Sequence, residues 1–283
     1  MSHSGNNGSP QTFNDKDTLN LPESYQNDWM SLLDDNKFIS DITIPGTHDT
    51  MALHGGPAAE CQAWKLEDQL KAGIRYLDLR VFAFEGELYT MHGVMYEHST
   101  LNRVLDTVTQ FLSEFRSETV LVRIKPDLFN KDEVQEMVEQ VIKGYDNVWV
   151  DSAIPTVGQV RGMIVFVQKS SFQLGIPEKE TDTKGDYEVI HISHKEEETA
   201  QHLKQAVTEC GRDFVVLTYS SGTGIGTFEG MFLTPKKVAE KMDPWLYDYL
   251  KNLSAGESGQ CFGIIAMDFP GLDLIQMVIS LNM

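Results

Sequence analysis

Short apolar segments that alternate with amphipathic helices constrain the fold of this chain more than any other feature. Segments such as 162–167 (G-M-I-V-F-V) and 263–267 (G-I-I-A-M) are apolar on both faces, which is typical of parallel strands covered by helices. A helix is predicted over 59–72, with Gly73 as its stop. About seven or eight such strands in one chain favour a closed barrel over an open doubly wound sheet. We therefore predict an α/β fold with a TIM-type (β/α) barrel.

Composition and net charge bear on the domain organisation and on the partners of the chain. Residues 1–20 are largely polar, and we predict a disordered leader there. Residues 21–283 contain no evident linker or repeat, so we predict one barrel domain. The net charge of −19 argues against nucleic acid as a partner and provides no electrostatic pull toward an anionic membrane.

The cysteines and the N-terminal segment bear on the compartment. Cys61, Cys210 and Cys261 have no metal-binding spacing, and the first residues show no secretory signal. An odd, sparse set of cysteines without a signal is typical of reduced thiols inside the cell. We expect a cytoplasmic protein, or a secreted one if a signal peptide has been removed.

Polar side chains collect where the predicted strands end. The C-terminal ends of barrel strands converge on one mouth, where enzymes of this architecture carry out their chemistry. The residues at or just beyond these ends are His48, Arg80, His92, Lys125, Lys169 and Asp268. Their convergence predicts an active site.

Two histidines and an arginine in one mouth indicate acid–base chemistry on an anion, and phosphodiester cleavage is the reaction that fits. One histidine would accept a proton from an attacking hydroxyl while the other donates one to the leaving oxygen. Asp49 and Asp268 can each hold an imidazole in one tautomer. Arg80 offers a planar fork of donors to a phosphate, a geometry that lysine lacks.

Five motifs, spread from about residue 41 to 269, together resemble one family. They are P-G-T-H-D-T (45–50), G-I-R-Y-L-D-L-R (73–80), M-H-G (91–93), S-E-T-V-L-V-R-I-K (117–125) and A-M-D-F (266–269). The chain resembles the X-domain of phosphatidylinositol-specific phospholipase C, in its single-domain bacterial-type branch. The resemblance implies an irregular TIM-type barrel that cleaves phosphatidylinositol to diacylglycerol and inositol 1,2-cyclic phosphate.

Residue by residue, the resemblance implies a division of roles. His48 would be the general base for the inositol 2-hydroxyl, oriented by Asp268. His92 would be the general acid for the diacylglycerol oxygen, assisted by Asp49, and Arg80 would clamp the phosphate. The residues implied in inositol binding are Asp78, Lys125 and Lys169, with Tyr219 as a further candidate.

The resemblance also implies that no metal and no other cofactor takes part. In the calcium-dependent enzymes an acidic ligand occupies the position of Arg80, whose fixed positive charge would repel a cation. Phosphatidylinositol or a related inositol lipid is the expected partner, met in transient contact with a membrane surface. The apolar loop Phe228–Leu233 could insert into that surface or make a local core contact.

Two other function classes stay open from the sequence. A barrel phosphodiesterase could act on another glycerophosphodiester, although such enzymes usually carry acidic metal ligands where this chain has Arg80. A catalytically silent module that binds inositol lipids or a protein partner is the second. Metal removal separates the first from the leading hypothesis, and a turnover assay separates the second.

Overall fold

A computed structural model describes residues 8–92, 95–126, 131–168, 172–182, 187–256 and 260–283. In these ranges the strands are β1 (Ile44–Thr47), β2 (Tyr76–Phe84), β3 (Glu87–His92), β4 (Met95–Thr100), β5 (Val120–Pro126), β6 (Val148–Trp149), β7 (Ile164–Val167), β8 (Glu178–Glu180), β9 (Val215–Tyr219) and β10 (Ile264–Met267). The α-helices are α1 (Leu66–Ala72), α2 (Leu101–Glu114), α3 (Lys131–Ile142), α4 (Val157–Val160), α5 (Ile192–Glu209), α6 (Pro235–Ser254) and α7 (Leu272–Ser280).

The main sheet is parallel and curls into a barrel. Its strands follow the order β6-β7-β5-β2-β1-β10-β9-β8. The chain just before β8 returns to the same side of β7 as β6, beyond the residues that pair with β6, where Val167 and Ile176 form a parallel bridge. Two backbone hydrogen bonds support that bridge, from Ile176 N to Phe166 O (2.9 Å) and from Gln168 N to Ile176 O (2.8 Å). The predicted α/β barrel of the TIM type is therefore confirmed.

The second strand departs from the regular pattern. β2 continues past Arg80 to Phe84 and turns at Glu85 and Gly86, whose φ angles are +47° and +79°. β3 returns antiparallel to β2, and β4 pairs with β3. The resulting hairpin extension carries His92 back toward the barrel mouth.

Apolar side chains fill the barrel and the layer under its helices. Every residue of β1, β7 and β10 is buried, as expected for strands that are covered on both faces. One apolar core extends from Trp29 to Leu281. The helices that cover β1 and β10 include α7, which packs against β1 and α6.

The N-terminal segment contradicts the prediction of a disordered leader. Residues 11–14 run antiparallel to the loop after β10, with Phe13 bridged to Pro270 and Asn14 N bonded to Phe269 O at 2.8 Å. Backbone groups of that loop need partners when they are buried, and the leader supplies them. The prediction is wrong for residues 11–14, whose partner lies more than 250 positions further along the sequence; residues 1–7 lie outside the described residues.

The cysteines also differ from expectation. Cys210, at the end of α5, forms a disulfide with Cys261, which lies 51 residues further on. The Cα–Cα distance of 5.8 Å is usual for a disulfide. The expectation of three reduced thiols is therefore wrong for this pair, and Cys61 is a free, buried thiol. Within the described ranges, no helix is long and apolar enough to cross a bilayer.

Candidate active site

The segment after β1 delivers two consecutive polar side chains into the barrel mouth. A Cβ atom at Gly46 would lie 2.6 Å from Cδ1 of Tyr76, so the close approach of β1 and β2 requires glycine there. The His48 amide continues the sheet by donating to Met267 O (2.9 Å). Asp49 adopts a left-handed backbone, with φ at +39°, which aspartate tolerates better than most residues. This turn lets the side chains of both His48 and Asp49 face the same site.

His48 is buried between two carboxylates. Its Nδ1 lies 2.8 Å from Oδ1 of Asp268, and its Nε2 lies 3.5 Å from Oδ2 of Asp49. The rings of Tyr187 and Tyr219 pack against the imidazole at centroid distances of 5.2 and 5.7 Å. Burial alone would lower the pKa of His48, but the Asp49 and Asp268 carboxylates outweigh it and raise that pKa to about 9. The imidazole is therefore protonated at neutral pH in the unliganded protein.

Asp49 links both histidines to an arginine. Its Oδ2 lies 3.5 Å from Nε2 of His48 and 3.5 Å from Nε2 of His92. Its Oδ1 accepts a hydrogen bond of 3.1 Å from Nε of Arg80. Burial would raise the pKa of Asp49, but His48, Arg80 and His92 outweigh it and keep that pKa below its usual value. One ionised carboxylate thus connects the three groups that could act on a phosphodiester.

His92 has a different environment from His48. Its Nδ1 lies 2.5 Å from the carbonyl oxygen of Ala59, and its side chain is 17% exposed. The loop that carries Ala59 is held by Glu97, which accepts from the amides of Leu53 (3.1 Å) and His54 (2.9 Å). Burial raises the pKa of Glu97 to about 7. A backbone carbonyl, and not a second carboxylate, therefore orients His92.

A second set of polar residues lies deeper on the strands next to this site. Asp78 and Arg80 on β2 are paired in register with Arg123 and Lys125 on β5. Arg123 contacts Asp78 at 3.1 Å and donates to the hydroxyl of Tyr219. It also bonds Glu178 and Glu180 of β8. This ion network fixes the side chains of Asp78 and Tyr219 beside His48.

The structure brings together most of the residues that the sequence singles out. His48, Asp49, Asp268, Arg80 and His92 are joined by the contacts above, and Lys125 lies close enough for its charge to act on Asp49. Asp78 and Tyr219 lie in the adjoining network. Lys169 lies outside the described residues.

Four residues of the site escaped the sequence analysis. Arg123 could have been found, because it lies two residues before Lys125 and alternate strand residues share a face. Cys61 falls within the helix that the sequence predicts over 59–72, whereas the observed helix α1 begins at Leu66. Tyr187 and Glu97 gave no sequence signal, because long-range packing alone places them in the site.

Several donor atoms in the mouth lie close enough to share a metal ion. In the part of the chain that the structure describes, these sets are Asp49–Cys61–His92, His48–Cys61–Asp268 and His48–Asp49–Asp78, with donor atoms within 4.8 Å of one another. Arg80 lies against the Asp49 carboxylate in the first and third sets. A fixed guanidinium opposes hard cations that bind oxygen by charge alone.

The arrangement can perform acid–base chemistry on a bound anion. Two imidazoles can exchange protons with a substrate, and the carboxylates beside them stabilise the charged forms. Arg80, 25% exposed at the mouth, can donate to an anionic oxygen. These are the functions that a phosphodiester cleavage requires.

Known proteins share both the sequence and the fold. Residues 36–170 match the family model "Phosphatidylinositol-specific phospholipase C, X domain". A 1-phosphatidylinositol phosphodiesterase of Listeria monocytogenes is 30% identical over 281 residues, covering 90% of this chain and 84% of the relative. The solved phosphatidylinositol-specific phospholipase C from Listeria monocytogenes has a TM-score of 0.79 at 28% identity, covering 91% of this chain and 98% of that one.

A more distant structure supports the fold alone. A variant phosphatidylinositol-specific phospholipase C from Staphylococcus aureus has a TM-score of 0.76 at 21% identity, covering 91% of this chain and 97% of that one. The site, the family model and the extent of the Listeria match agree. This chain belongs to the phosphatidylinositol-specific phospholipase C X-domain family.

Proposed function

We propose that this protein is a bacterial-type phosphatidylinositol-specific phospholipase C that works without a metal ion. It cleaves phosphatidylinositol to diacylglycerol and inositol 1,2-cyclic phosphate. The observation that carries the proposal is the Asp49 carboxylate, which lies 3.5 Å from Nε2 of both histidines and 3.1 Å from Nε of Arg80. This one carboxylate contacts the proposed base (His48), the proposed acid (His92) and the proposed phosphate-binding residue (Arg80).

The reaction needs two proton transfers. His48 takes the proton of the inositol 2-hydroxyl, and that oxygen attacks phosphorus to form the cyclic diester. His92 donates a proton to the departing diacylglycerol oxygen as the phosphorus–oxygen bond breaks. The proton count balances, because one histidine gains the proton that the other loses. Asp268 holds His48 so that Nε2 is the nitrogen that faces the substrate.

The protonation state of His48 predicts an alkaline dependence. With the pKa of His48 at about 9, the neutral base is a minor form at pH 7, at about one molecule in a hundred. The rate constant kcat/KM is expected to rise with pH toward 9, as His48 loses its proton and becomes able to act as the base.

Arg80 replaces a metal ion in this mechanism. Its guanidinium can stabilise charge on the non-bridging phosphate oxygens in the transition state. An arginine is always charged, so that this stabilisation does not depend on a dissociable cation. Activity in excess chelator is the expected result.

The ion network beside His48 supports recognition of the inositol ring. Asp78 can accept hydrogen bonds from ring hydroxyls, while Lys125 and Lys169 can donate to them. Arg123 holds Asp78 and Tyr219 in place, which limits the side-chain entropy lost on binding. A related inositol lipid with the same ring face would be bound in the same way.

The loop after β9 supports contact with a membrane surface. β9 and β10 are parallel, so this loop leaves the barrel at the end where Asp268 follows β10. Phe228 is 88% exposed and Phe232 is 75% exposed, which argues against the local core contact for these two rings, whereas Leu233 packs against Val189 and Val238. With a net charge of −19, we expect apolar insertion to provide the affinity for lipid.

The disulfide bears on the compartment in which the protein works. The sequence predicts a cytoplasmic protein, with secretion as the alternative. The Cys210–Cys261 disulfide favours the alternative, because disulfides persist in oxidising compartments. Counting free thiols after denaturation, with and without reductant, tests this: one free thiol without reductant supports an oxidised pair, and three support the cytoplasm.

The test of the function is the release of inositol phosphate from phosphatidylinositol vesicles in excess chelator. The wild type should form the cyclic product, and His48→Ala and His92→Ala should each lose at least about 10²-fold in kcat. His194→Ala is the matched control, since His194 is an exposed histidine on α5 that pairs with Glu198. Activity that appears only with added Ca²⁺ would contradict the role of Arg80. Turnover of another glycerophosphodiester alone, or no turnover at all, would favour the two alternative classes.

A further inference from the structure

One buried side chain in the site has no part in the proposed reaction. Cys61 lies in the loop before α1, is fully buried, and is a free thiol. Its Sγ lies 3.6 Å from the carbonyl oxygen of Ala59, which also accepts from Nδ1 of His92. The thiol therefore lies next to the imidazole that is proposed as the general acid.

The donor atoms around Cys61 point to one position for a metal ion. The donor atoms of Asp49, Cys61 and His92 all lie within 4.8 Å of one another, and Oδ2 of Asp49 lies 3.5 Å from Nε2 of His92. In a tetrahedral zinc site, ligand atoms at the usual bond lengths are about 3.3–3.6 Å apart. The Asp49–His92 pair already has this spacing.

Two features prepare these donors for a metal. Oδ2 of Asp49 is buried and has no hydrogen-bond partner among the described residues, while Oδ1 is held by Arg80. The Ala59 carbonyl accepts the Nδ1 proton of neutral His92, which leaves the lone pair on Nε2. Metal-binding histidines are commonly oriented in this way, by a carbonyl on the other ring nitrogen.

We infer that Asp49, Cys61 and His92 form an inhibitory binding site for a thiophilic divalent cation, with Zn²⁺ as the representative ion. On binding, the Cys61 thiol releases its proton and a zinc–sulfur bond forms. Nε2 of His48 lies 3.5 Å from the same Asp49 oxygen, but it would have to release its proton before it could serve as a further ligand.

The ligand types select the metal. A thiolate and an imidazole favour Zn²⁺ and similar borderline ions, whereas Ca²⁺ and Mg²⁺ require sets of oxygen ligands. Arg80 adds a positive charge next to Asp49, which disfavours cations that bind by charge alone. Because Arg80 opposes binding by charge, the Cys61 thiolate is the ligand that contributes most to zinc affinity.

Inhibition rests on the role proposed for His92, whereas binding does not. A zinc ion on Nε2 of His92 occupies the nitrogen that would donate the proton to the leaving oxygen. It also takes the Asp49 oxygen that the two histidines share. Substrate turnover and zinc binding are therefore mutually exclusive.

The experiment measures zinc binding and activity separately on the full chain. Calorimetric titration with ZnCl₂, without chelator, should give one site in the wild type. Cys61→Ser and Cys61→Ala should each weaken that site by about 100-fold or more, since a direct ligand contributes at least as much as its supporting groups. Both variants should keep their activity in chelator, and their inhibition by Zn²⁺ should weaken by a similar factor.

Two controls separate the site from other causes. The double variant Cys210→Ser/Cys261→Ser keeps Cys61 and should bind Zn²⁺ as the wild type does. Cd²⁺ should give a thiolate-to-metal absorption band in the wild type that both Cys61 variants lack, and Ca²⁺ should not inhibit. Thermal unfolding without metal checks that the Cys61 variants are folded.

Several outcomes would decide the proposal. Equal zinc affinity in the wild type and Cys61→Ala, or no stoichiometric binding to the wild type, would overturn it. Binding that depends on Cys61 but leaves turnover unchanged would overturn the inhibitory role of this site, and with it the role given to His92. Binding without any measurable phosphodiesterase activity would support the site and count against the proposed function.

Discussion

The two histidines of the mouth differ in what surrounds them. His48 is buried between the carboxylates of Asp49 and Asp268, and its pKa is raised to about 9. His92 is 17% exposed, is oriented by the backbone of Ala59, and shares only Asp49 with its counterpart. The same side chain is thus fixed by charge in one place and by a neutral dipole in the other.

This difference shows how two identical side chains in one site can have the two different roles that the proposed mechanism requires. Two flanking carboxylates make His48 a strong base, because they stabilise its charged form. His92 contacts only the shared carboxylate and a backbone carbonyl, so the two imidazoles have different electrostatic surroundings. Paired groups whose environments differ in this way are expected to divide acid and base functions.

The change with the largest expected effect is Asp49→Asn, which removes the charge common to both histidines. The amide can still accept from Arg80, so that the loss reports charge more than position. We expect kcat to fall by about 10³-fold, within the range for acid–base groups. Steady-state kinetics on phosphatidylinositol in chelator measure it. A loss smaller than that of Asp268→Asn would show that the shared carboxylate is not the main link.

Asp268→Asn should act mainly on His48, the histidine that Asp268 contacts directly. Its carboxylate raises the pKa of His48, so the variant lowers that pKa and moves the rising limb of kcat/KM to lower pH. We expect a loss of about 10²-fold near pH 9, where wild-type His48 becomes neutral, and a smaller loss at lower pH.

Asp243→Asn provides the matched control for that pH profile. Asp243 on α6 is buried, and burial, together with the charge of Asp268, raises its pKa well above the usual value, which favours the uncharged form. An amide of the same size should leave the pH profile in place. A limb that shifts equally in both variants would contradict the assignment of the profile to His48.

Glu97 holds the loop whose Ala59 carbonyl orients His92, and a smaller effect is expected from its removal. Glu97→Ala deletes the acceptor for two amides of the loop that carries Ala59, and we expect kcat to fall by about tenfold as His92 loses its orientation. Glu97→Gln keeps an acceptor and should recover most of that loss. The pH limb of His48 should stay unchanged in both variants. Equal losses in the two would show that charge, and not the loop, is what Glu97 contributes.

The smallest effect on chemistry is expected at Phe228 and Phe232. Replacing both exposed rings with serine should weaken binding to vesicles several-fold, since each ring can bury apolar surface in lipid. Turnover of a short-chain, water-soluble phosphatidylinositol should stay within about twofold of the wild type. Co-sedimentation with vesicles measures the first effect. Unchanged sedimentation would contradict insertion into lipid and favour the alternative, in which the loop makes a local contact with the protein.

Much of the site could be predicted because it follows from strand ends. His48 and Asp268 each come directly after an apolar strand, and β1 and β10 are parallel neighbours, so the two side chains must meet. Arg80 and Lys125 are likewise set by the pairing of β2 and β5. The local sequence pattern and the parallel strand topology are therefore sufficient to predict where these residues lie.

The remaining features depend on contacts that no local pattern records. Residues 59–65 read as helix, yet the Cys61 amide bonds to Ala52 O (2.8 Å) and leaves the segment as a loop against the site. The leader finds its partner after β10, and Cys210 finds Cys261. In each case tertiary contacts override local propensity, and the partner is distant in sequence.

The pairing of β1 with β10 has a consequence for synthesis on the ribosome. Among the described strands, β1 comes first in the sequence and β10 last, and the Thr43 amide donates to Oδ1 of Asn282 (2.8 Å). The His48–Asp268 contact spans 220 positions. A nascent chain emerges from its N-terminus, and contacts of such long range form late. The candidate site is therefore incomplete until the chain has been made through β10, so that an intermediate which stops before Asp268 lacks the carboxylate that holds His48.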